Sequence, residues 1–303
     1  MEPLVQIASP SARPRLPDWL RKPATQFASV QGLKNDLRRH GLHTVCESAR
    51  CPNIHECFHR GAATFMILGN LCTRGCTFCS VPKSNDPGAL DAAEPANVAR
   101  MAASMKLRYV VITSVNRDDL ADGGSHHFAA TVRAVRGALP GARIEVLSPD
   151  FCGDSEAVAR VLDAGPDVFN HNMETVPRLY RRVRPQADYR QSLEVLAFAR
   201  GHRGEVLTKS GLMVGLGEKP DEVDQLLRDL RAARVEVVTI GQYLQPTRRN
   251  RAVSEFIRPP QYDAWRDYGM SLGFRHVFAG PFVRSSYMAD QVNEHATSCD
   301  SGN

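Results

Sequence analysis

The stretch Leu71-Cys72-Thr73-Arg74-Gly75-Cys76-Thr77-Phe78-Cys79 places three thiols in a short loop, just after a strand-like apolar run from Ala63 to Leu68. Three residues separate the first two cysteines, and two separate the second pair. Structural zinc, a disulfide and buried apolar thiols are the plain alternatives. Structural zinc takes a fourth protein ligand at matching spacing. Ferredoxin-type clusters use a tighter run closed by a fourth cysteine and a proline. Neither pattern is present. A cubane cluster has four irons and normally takes four thiolates. This loop offers three, so it reads as a site for a cubane iron–sulfur cluster with one iron left open to a small molecule.

Downstream of the loop, apolar runs alternate with amphipathic segments. Strand-like stretches fall at Tyr109–Thr113, Arg143–Leu147, Asp167–Asn170, Glu205–Val214 and Val235–Gln242. Between them Val98, Met101, Ala102 and Met105 share one helical face, as do Phe128, Val132 and Val135, and later Val223, Leu226, Leu227 and Leu230. Pro220 suits the first turn of that last helix, and Asp221 and Glu222 suit its dipole. Such faces cover a parallel sheet. Counting from Ala63, six βα units fit before residue 245, fewer than a closed barrel needs, so the expected fold is a partial (β/α)6 TIM-like barrel. The expected organisation is an N-terminal extension over 1–60, the barrel over 61–245 and a C-terminal extension over 246–303.

In parallel barrels the reactive groups sit on loops at the carboxyl ends of strands. Several of these ends are unusually polar. Ser114-Val115-Asn116-Arg117-Asp118-Asp119-Leu120, followed by Asp122-Gly123-Gly124, closes the second strand. His171-Asn172-Met173-Glu174-Thr175 closes the fourth, and Lys209-Ser210-Gly211 lies in the fifth. Helix caps and strand-end turns use the same residue types, so the residues alone leave both readings open. Gly215-Leu216-Gly217-Glu218 carries two glycines after a strand but lacks the third glycine of a dinucleotide loop.

Upstream, His43-Thr44-Val45-Cys46-Glu47-Ser48-Ala49-Arg50-Cys51-Pro52-Asn53-Ile54-His55-Glu56-Cys57 brings three more thiols, with four residues between the first two and five between the last two. A zinc knuckle completed by His55 or His59, or three idle thiols, would be the ordinary explanation. A second thiolate triplet this close to the first suggests a second cluster. Residues 1 to about 27, with Pro10, Pro14, Pro17 and Pro23 around Trp19 and Leu20, suggest an extended arm that wraps the main domain. Val30, Leu33 and Leu37 have helical spacing ended by Gly41.

The 303 residues are 43% hydrophobic and 23% charged, as expected of a soluble globular protein with one large α/β domain. No apolar run approaches the ~20 residues of a membrane helix, and the N-terminus lacks a secretory apolar core, so a cytoplasmic protein is expected, with no membrane partner. In a reducing compartment, eight cysteines in clustered spacing favour metal chemistry over disulfides. The net charge of +5 is modest, and no nucleic-acid motif accompanies it. The tail from Asn293 onward is weakly hydrophobic and expected to be disordered; Cys152 and Cys299 belong to no triplet.

The Cys72/Cys76/Cys79 loop, with Phe78 between its last two cysteines, resembles the signature of the radical S-adenosylmethionine superfamily. Together with the Cys46/Cys51/Cys57 triplet it resembles the lipoyl synthase family, over a span from about Trp19 to Tyr287. The resemblance implies that the methionyl amine and carboxylate of S-adenosylmethionine chelate the open iron, and that an electron from the cluster splits the sulfonium to give a 5′-deoxyadenosyl radical. It assigns Asn172 and Glu174 to the S-adenosylmethionine side, and gives Gly215-Leu216-Gly217-Glu218 as a tight turn near that cofactor. Ala279-Gly280-Pro281-Phe282-Val283-Arg284-Ser285-Ser286-Tyr287 resembles the family's closing Arg-Ser-Ser-Tyr motif, in which a serine, here Ser286, ligates the second 4Fe–4S cluster. Gln245-Pro246-Thr247 matches the family's turn, while Asn250 to Val253 depart from it.

The implied reaction is insertion of sulfur at carbons 6 and 8 of an octanoyl chain amide-linked to a lysine. The second cluster is the sacrificed sulfur source. Implied partners are octanoylated lipoyl carrier proteins (lipoyl domains of 2-oxoacid dehydrogenase E2 subunits and the glycine cleavage H protein), an electron donor such as ferredoxin or flavodoxin, and an iron–sulfur carrier. Two rival readings are a radical enzyme with another substrate, such as a biotin synthase relative, and a non-catalytic two-cluster electron carrier. The carrier reading leaves the open iron unexplained. The amino-terminal triplet and the closing serines together weigh against the other.

Overall fold

The computed structural model describes residues 16–21, 42–44, 53–59 and 62–286, with single positions at 35, 37, 39 and 47. Val30, Leu33, Gly41, Cys46, Cys51, Tyr287 and Cys299 lie outside the described residues. Among the described residues eight strands form one sheet in chain order: β1 His43–Thr44, β2 Ala62–Ile67, β3 Tyr109–Ser114, β4 Arg143–Leu147, β5 Val168–Asn170, β6 Leu207–Val214, β7 Val237–Gln242 and β8 His276–Gly280. β1 runs antiparallel to β2, and every neighbouring pair from β2 to β8 is parallel. The sheet is an open, partial TIM-type barrel. β2 to β7 are the six strands expected from the sequence, and β8 adds one more after the helix Pro259–Ser271.

The helices form where the periodicity places them. Val98, Met101 and Ala102 are buried on the helix Glu94–Ser104, and Phe128, Val132 and Val135 on Ser125–Ala138. On Pro220–Ala232, Val223, Leu226, Leu227 and Leu230 show no exposed surface, each contributing roughly 1.5–3 kcal/mol of apolar burial. Pro220 stands at the first helical turn, and the Glu222 carboxylate accepts the backbone N–H of Lys219 at the N-cap. A charge at Leu227 would therefore detach that helix from the sheet. At the amino-terminal arm, Leu20 is buried and Asp18–Leu20 makes a single 3-10 turn rather than a fully extended path. Asn35, Leu37 and Arg39 are helical, and Leu37 joins the core beside Phe65. Among the described residues no helix is long and apolar enough to cross a membrane.

Candidate active site

The cysteine loop follows β2 and is fixed at nearly every residue. Thr73 donates both its N–H and its hydroxyl to the Asn116 carbonyl, at 3.1 and 3.0 Å, and accepts the N–H of Asp118. Arg74 is buried and forks onto two carboxylates. It reaches Asp118 at 2.6 and 3.0 Å and Asp150 at 2.8 and 2.7 Å. Its burial opposes the charge, but these bonds outweigh that and raise its pKa further. The carboxyl of Asp150 pays a burial penalty too, yet Arg74 brings it down to about 2. Gly75 donates to Gln186, and Thr77 donates to the carbonyls of Val183 and Arg182. A loop held at both flanks keeps three thiols in fixed relative positions without a metal.

Backbone N–H groups of Arg74 and Asn116 point at the Cys72 sulfur, each at 3.4 Å. Donors of this kind stabilise a thiolate and tune a cluster bound to it. Burial pushes the Cys76 thiol up, with Arg184 working the other way, and pushes Cys79 up to about 11 against a backbone hydrogen bond from Val81. Ligation by iron therefore has to expel protons from these thiols. Cys72, Cys76 and Cys79 form no disulfide, and among the described residues no three potential ligands converge as they would on a single metal ion. A cubane spreads its thiolates over separate irons, so a cluster asks for no such convergence.

At the end of β5, Glu174 sits at φ 66°, a left-handed conformation costing of order 1–3 kcal/mol for a non-glycine residue. It is held there by its own N–H donating to the Gly211 carbonyl and by Met213 donating to its carbonyl. Asn172 donates to the Glu174 carboxylate at 3.0 Å. Burial raises that carboxyl's pKa, and Arg184 and Asn172 draw it back. The Asn172 Oδ1 is buried without a partner, as are Ser114 Oγ, Asn116 Oδ1, Ser148 Oγ and His171 Nε2 at neighbouring strand ends. Such a row of unsatisfied groups is costly in an empty protein and fits a polar ligand. Gly211 leaves the space open: a Cβ there would stand 2.6 Å from Thr239 Oγ1 and 2.9 Å from Asn172 Oδ1.

A cavity of about 390 Å³ gathers these parts. Cys79 and Phe78 from the loop, Asn172 and Glu174 after β5, Gln245 and Pro246 after β7, and Ser285 and Ser286 from the closing motif all line it. Along the strands its walls come from Gly211, Leu212 and Met213 on β6, and Thr239, Gly241 and Gln242 on β7. The closing segment is tied to the segment just before Cys57 by the buried Asn53, which donates to the Phe282 carbonyl at 2.7 Å. Cys57 is half-buried on the short helix Ile54–His59.

Two site residues escaped the sequence reading. Arg184 is buried and donates to the carbonyls of Asn172 and Met173 at 2.8 and 3.3 Å, holding the β5 end. In the sequence it is one arginine of Arg181-Arg182-Val183-Arg184, indistinguishable from a solvated run. Asn250 lies where the chain departs from the expected pattern. Its side chain donates to the Cys79 carbonyl at 2.8 Å, and the Arg251 N–H donates to Thr77, so this segment brackets the cysteine loop. Gly215 and Leu216 turn tightly, their N–H groups capped by the Glu218 carboxylate.

Comparison with known proteins follows the same lines. Residues 66–230 match the Radical SAM superfamily model, and residues 5–51 match the N-terminal domain of lipoyl synthase of the Radical_SAM family. The lipoyl synthase of Chlorobaculum parvum is 51% identical over 274 residues, 90% of this chain and 94% of that protein. That of Methylococcus capsulatus is 54% identical over 283 residues, covering 93% and 88%. Among solved structures, methylornithine synthase superposes with a TM-score of 0.55 at 15% identity, covering 83% of this chain and 72% of that one. HydG, a maturase of the FeFe-hydrogenase, gives 0.52 at 13%, covering 83% and 69%. At those identities the structures speak for the fold alone. The sequence relatives speak for more, and the chain belongs to the lipoyl synthase family of the Radical SAM superfamily.

Proposed function

We propose that Cys72, Cys76 and Cys79 hold the cluster that binds S-adenosylmethionine, and that Cys46, Cys51, Cys57 and Ser286 hold the second, sacrificial 4Fe–4S cluster. The activity they serve is that of the family: sulfur insertion at carbons 6 and 8 of the octanoyl group on a lysine of a lipoyl carrier protein. The bound groups supply the 5′-deoxyadenosyl radical and the sulfur. The protein's part is to orient and to exclude water. Arg74, clamped by Asp118 and Asp150, fixes the loop on which the three thiolates stand. Asn172 and Glu174 offer polar contacts at the end of β5, and the Asn172 Oδ1 is free to take one. Phe78, Leu147, Leu212, Met213, Leu244 and Val283 give the cavity an apolar wall suited to an acyl chain. Residues 1–60 form the extension bearing one cysteine triplet, 61–245 the barrel, and 246–303 the extension bearing the serine. An electron donor such as ferredoxin or flavodoxin and an iron–sulfur carrier complete the cycle.

One observation carries this reading. Cys79, Asn172, Glu174 and Ser286 line a single cavity, although they come from three segments of the chain far apart in sequence. The test is anaerobic reconstitution, expected to give on the order of eight irons per chain, followed by S-adenosylmethionine, reductant and an octanoylated carrier. Deoxyadenosine and a dithiolated carrier are expected. Cys76→Ala should yield neither, whereas Cys51→Ala should still release deoxyadenosine but transfer no sulfur. A lipoyl product from Cys51→Ala would remove the amino-terminal triplet from the role of sulfur donor.

A further inference from the structure

Two segments packed on the cysteine loop beside the cavity carry four arginines that the reaction chemistry does not use. Arg181 and Arg182 are exposed on the short helix Tyr180–Val183, and Arg248 and Arg249 are exposed on the turn after Pro246. Their neighbours are accounted for. Arg178 is paired with Glu222 at 2.6 Å, Arg184 is buried against backbone carbonyls, and Arg251 donates to the Leu216 carbonyl. For the side chains of Arg181, Arg182, Arg248 and Arg249 no carboxylate partner occurs among the described residues. Both segments converge on one residue of the cysteine loop. Thr77 donates its hydroxyl to the Arg182 carbonyl and accepts the Arg251 N–H, and the next two residues, Phe78 and Cys79, line the cavity. On the turn side, Gln245 and Pro246 line it as well.

A single solvated arginine is unremarkable. Four without internal counter-charge, on two segments that meet at Thr77 beside the cavity-lining Phe78 and Cys79, concentrate positive potential where a macromolecular substrate has to arrive. The acyl chain is delivered on a lysine of another protein, so the body of that protein comes to rest against these segments. We propose that Arg181, Arg182, Arg248 and Arg249 form the docking surface for an acidic face of the octanoylated carrier. They speed its encounter and fix its orientation, with no part in the chemistry. This rests on the activity above and names the surface that its substrate meets. Guanidinium groups suit the task because each can fork onto a carboxylate.

The test uses the reconstituted full chain with dithionite as reductant, so that no protein electron donor takes part. Carrier binding is titrated directly, and turnover is followed with an octanoylated carrier domain and with a short octanoyl-lysyl peptide. In the quadruple variant Arg181→Gln, Arg182→Gln, Arg248→Gln, Arg249→Gln, the carrier's Kd and KM should rise about tenfold at low salt. Its salt dependence should flatten, while kcat, deoxyadenosine formation and peptide turnover stay as in the parent chain. Unchanged carrier binding and salt dependence would overturn the proposal, and so would equal loss with peptide and carrier, which would move the arginines' effect into the cavity. A defect seen only when ferredoxin or flavodoxin replaces dithionite would give the surface to the electron donor instead. If the parent chain turns over neither substrate, the activity itself fails, and the proposal falls with it.

Discussion

Two buried cations sit among carboxylates at different depths of the barrel. Lys209, inside β6, is fully buried with Glu145 of β4, its Nζ 3.0 Å from both carboxylate oxygens. The remaining capacity of Glu145 is taken by Tyr109 OH at 2.8 Å and Asn170 Nδ2 at 3.0 Å. One positive charge meets one negative charge, and each carboxylate oxygen of Glu145 also accepts from a second donor. Arg74, on the cysteine loop, meets two carboxylates, of which Asp150 is sealed and Asp118 is about one-third exposed. The interior pair is closed and balanced, which suits permanence. The rim cluster is fixed on one side and open to solvent on the other, which suits a loop that must hold still while its ligands are loaded and spent.

The largest effect should come from breaking the interior pair. Lys209→Ala leaves the Glu145 carboxylate buried and uncompensated, and the chain should lose about 3–5 kcal/mol of stability, read as a fall in the urea midpoint. Adding Glu145→Gln to Lys209→Met removes both charges while keeping an oxygen to accept from Asn170 and an amide N–H that the Tyr109 hydroxyl can accept, and should recover most of that loss. If the double variant is no better than Lys209→Ala, the stranded charge is not the reason.

The rim gives the next effect through pH. His171, buried at the end of β5, has its pKa lowered to about 4, chiefly by burial and then by Arg184. Its Nδ1 faces the Ser148 carbonyl at 2.9 Å, an acceptor, so Nδ1 carries the proton of the neutral ring and Nε2 is left without a partner. Because the folded pKa lies below the unfolded one, the unfolded chain takes up a proton first as pH falls. Stability is full above about pH 6.5 and drains away down to about pH 4, by on the order of 3 kcal/mol. In His171→Gln the urea midpoint of the cluster-free chain should be much flatter over that interval. An unchanged slope would move the acid sensitivity elsewhere. Asp150, held down to about 2, acts only below this window, since its contribution is lost between about pH 4 and pH 2.

Arg74→Lys separates the two regions by kind of damage. Lysine keeps the charge but cannot fork onto Asp118 and Asp150 together. A stability loss of about 2 kcal/mol is expected, smaller than at Lys209, with a marked fall in iron retained on the loop after reconstitution. Normal iron loading together with a loss as large as that of Lys209→Ala would erase the contrast between rim and interior.

What the sequence disclosed follows from how local each signal was. The cysteine spacings and the apolar runs of β2 to β7 are properties of short segments, and they could be read directly. Lys209 and Glu145 sit in the middle of strands, where polar residues ordinarily face water; only the curvature of the sheet turns that face inward, so their pairing is invisible to periodicity. β8 was missed because His276–Gly280 is short and mixed in burial, and it is a strand by virtue of pairing with β7. Arg184, Asn250 and the bond from Asn53 to Phe282 depend on residues far apart in the chain meeting at the rim.

The smallest effect on stability, and the sharpest on function, should follow from making the rim permanent. Ser286 lines the cavity with Cys79, on a segment whose Phe282 carbonyl is held by Asn53 just before Cys57. As the proposed fourth ligand of the second cluster it offers a hard oxygen to an iron otherwise bound by soft sulfur, which makes that iron the easiest to release. Ser286→Cys replaces oxygen with a thiolate of similar size at a half-buried position, so the fold should be unaffected within about 0.5 kcal/mol. The second cluster should then assemble well and let go of iron and sulfide poorly during turnover. Deoxyadenosine should still form, because Cys72, Cys76 and Cys79 are untouched. Iron and sulfide release, measured against deoxyadenosine in one anaerobic turnover, reads the difference. If Ser285→Cys shows this behaviour and Ser286→Cys does not, the ligand is the neighbouring serine; if neither does, the oxygen ligand is not what makes the cluster expendable.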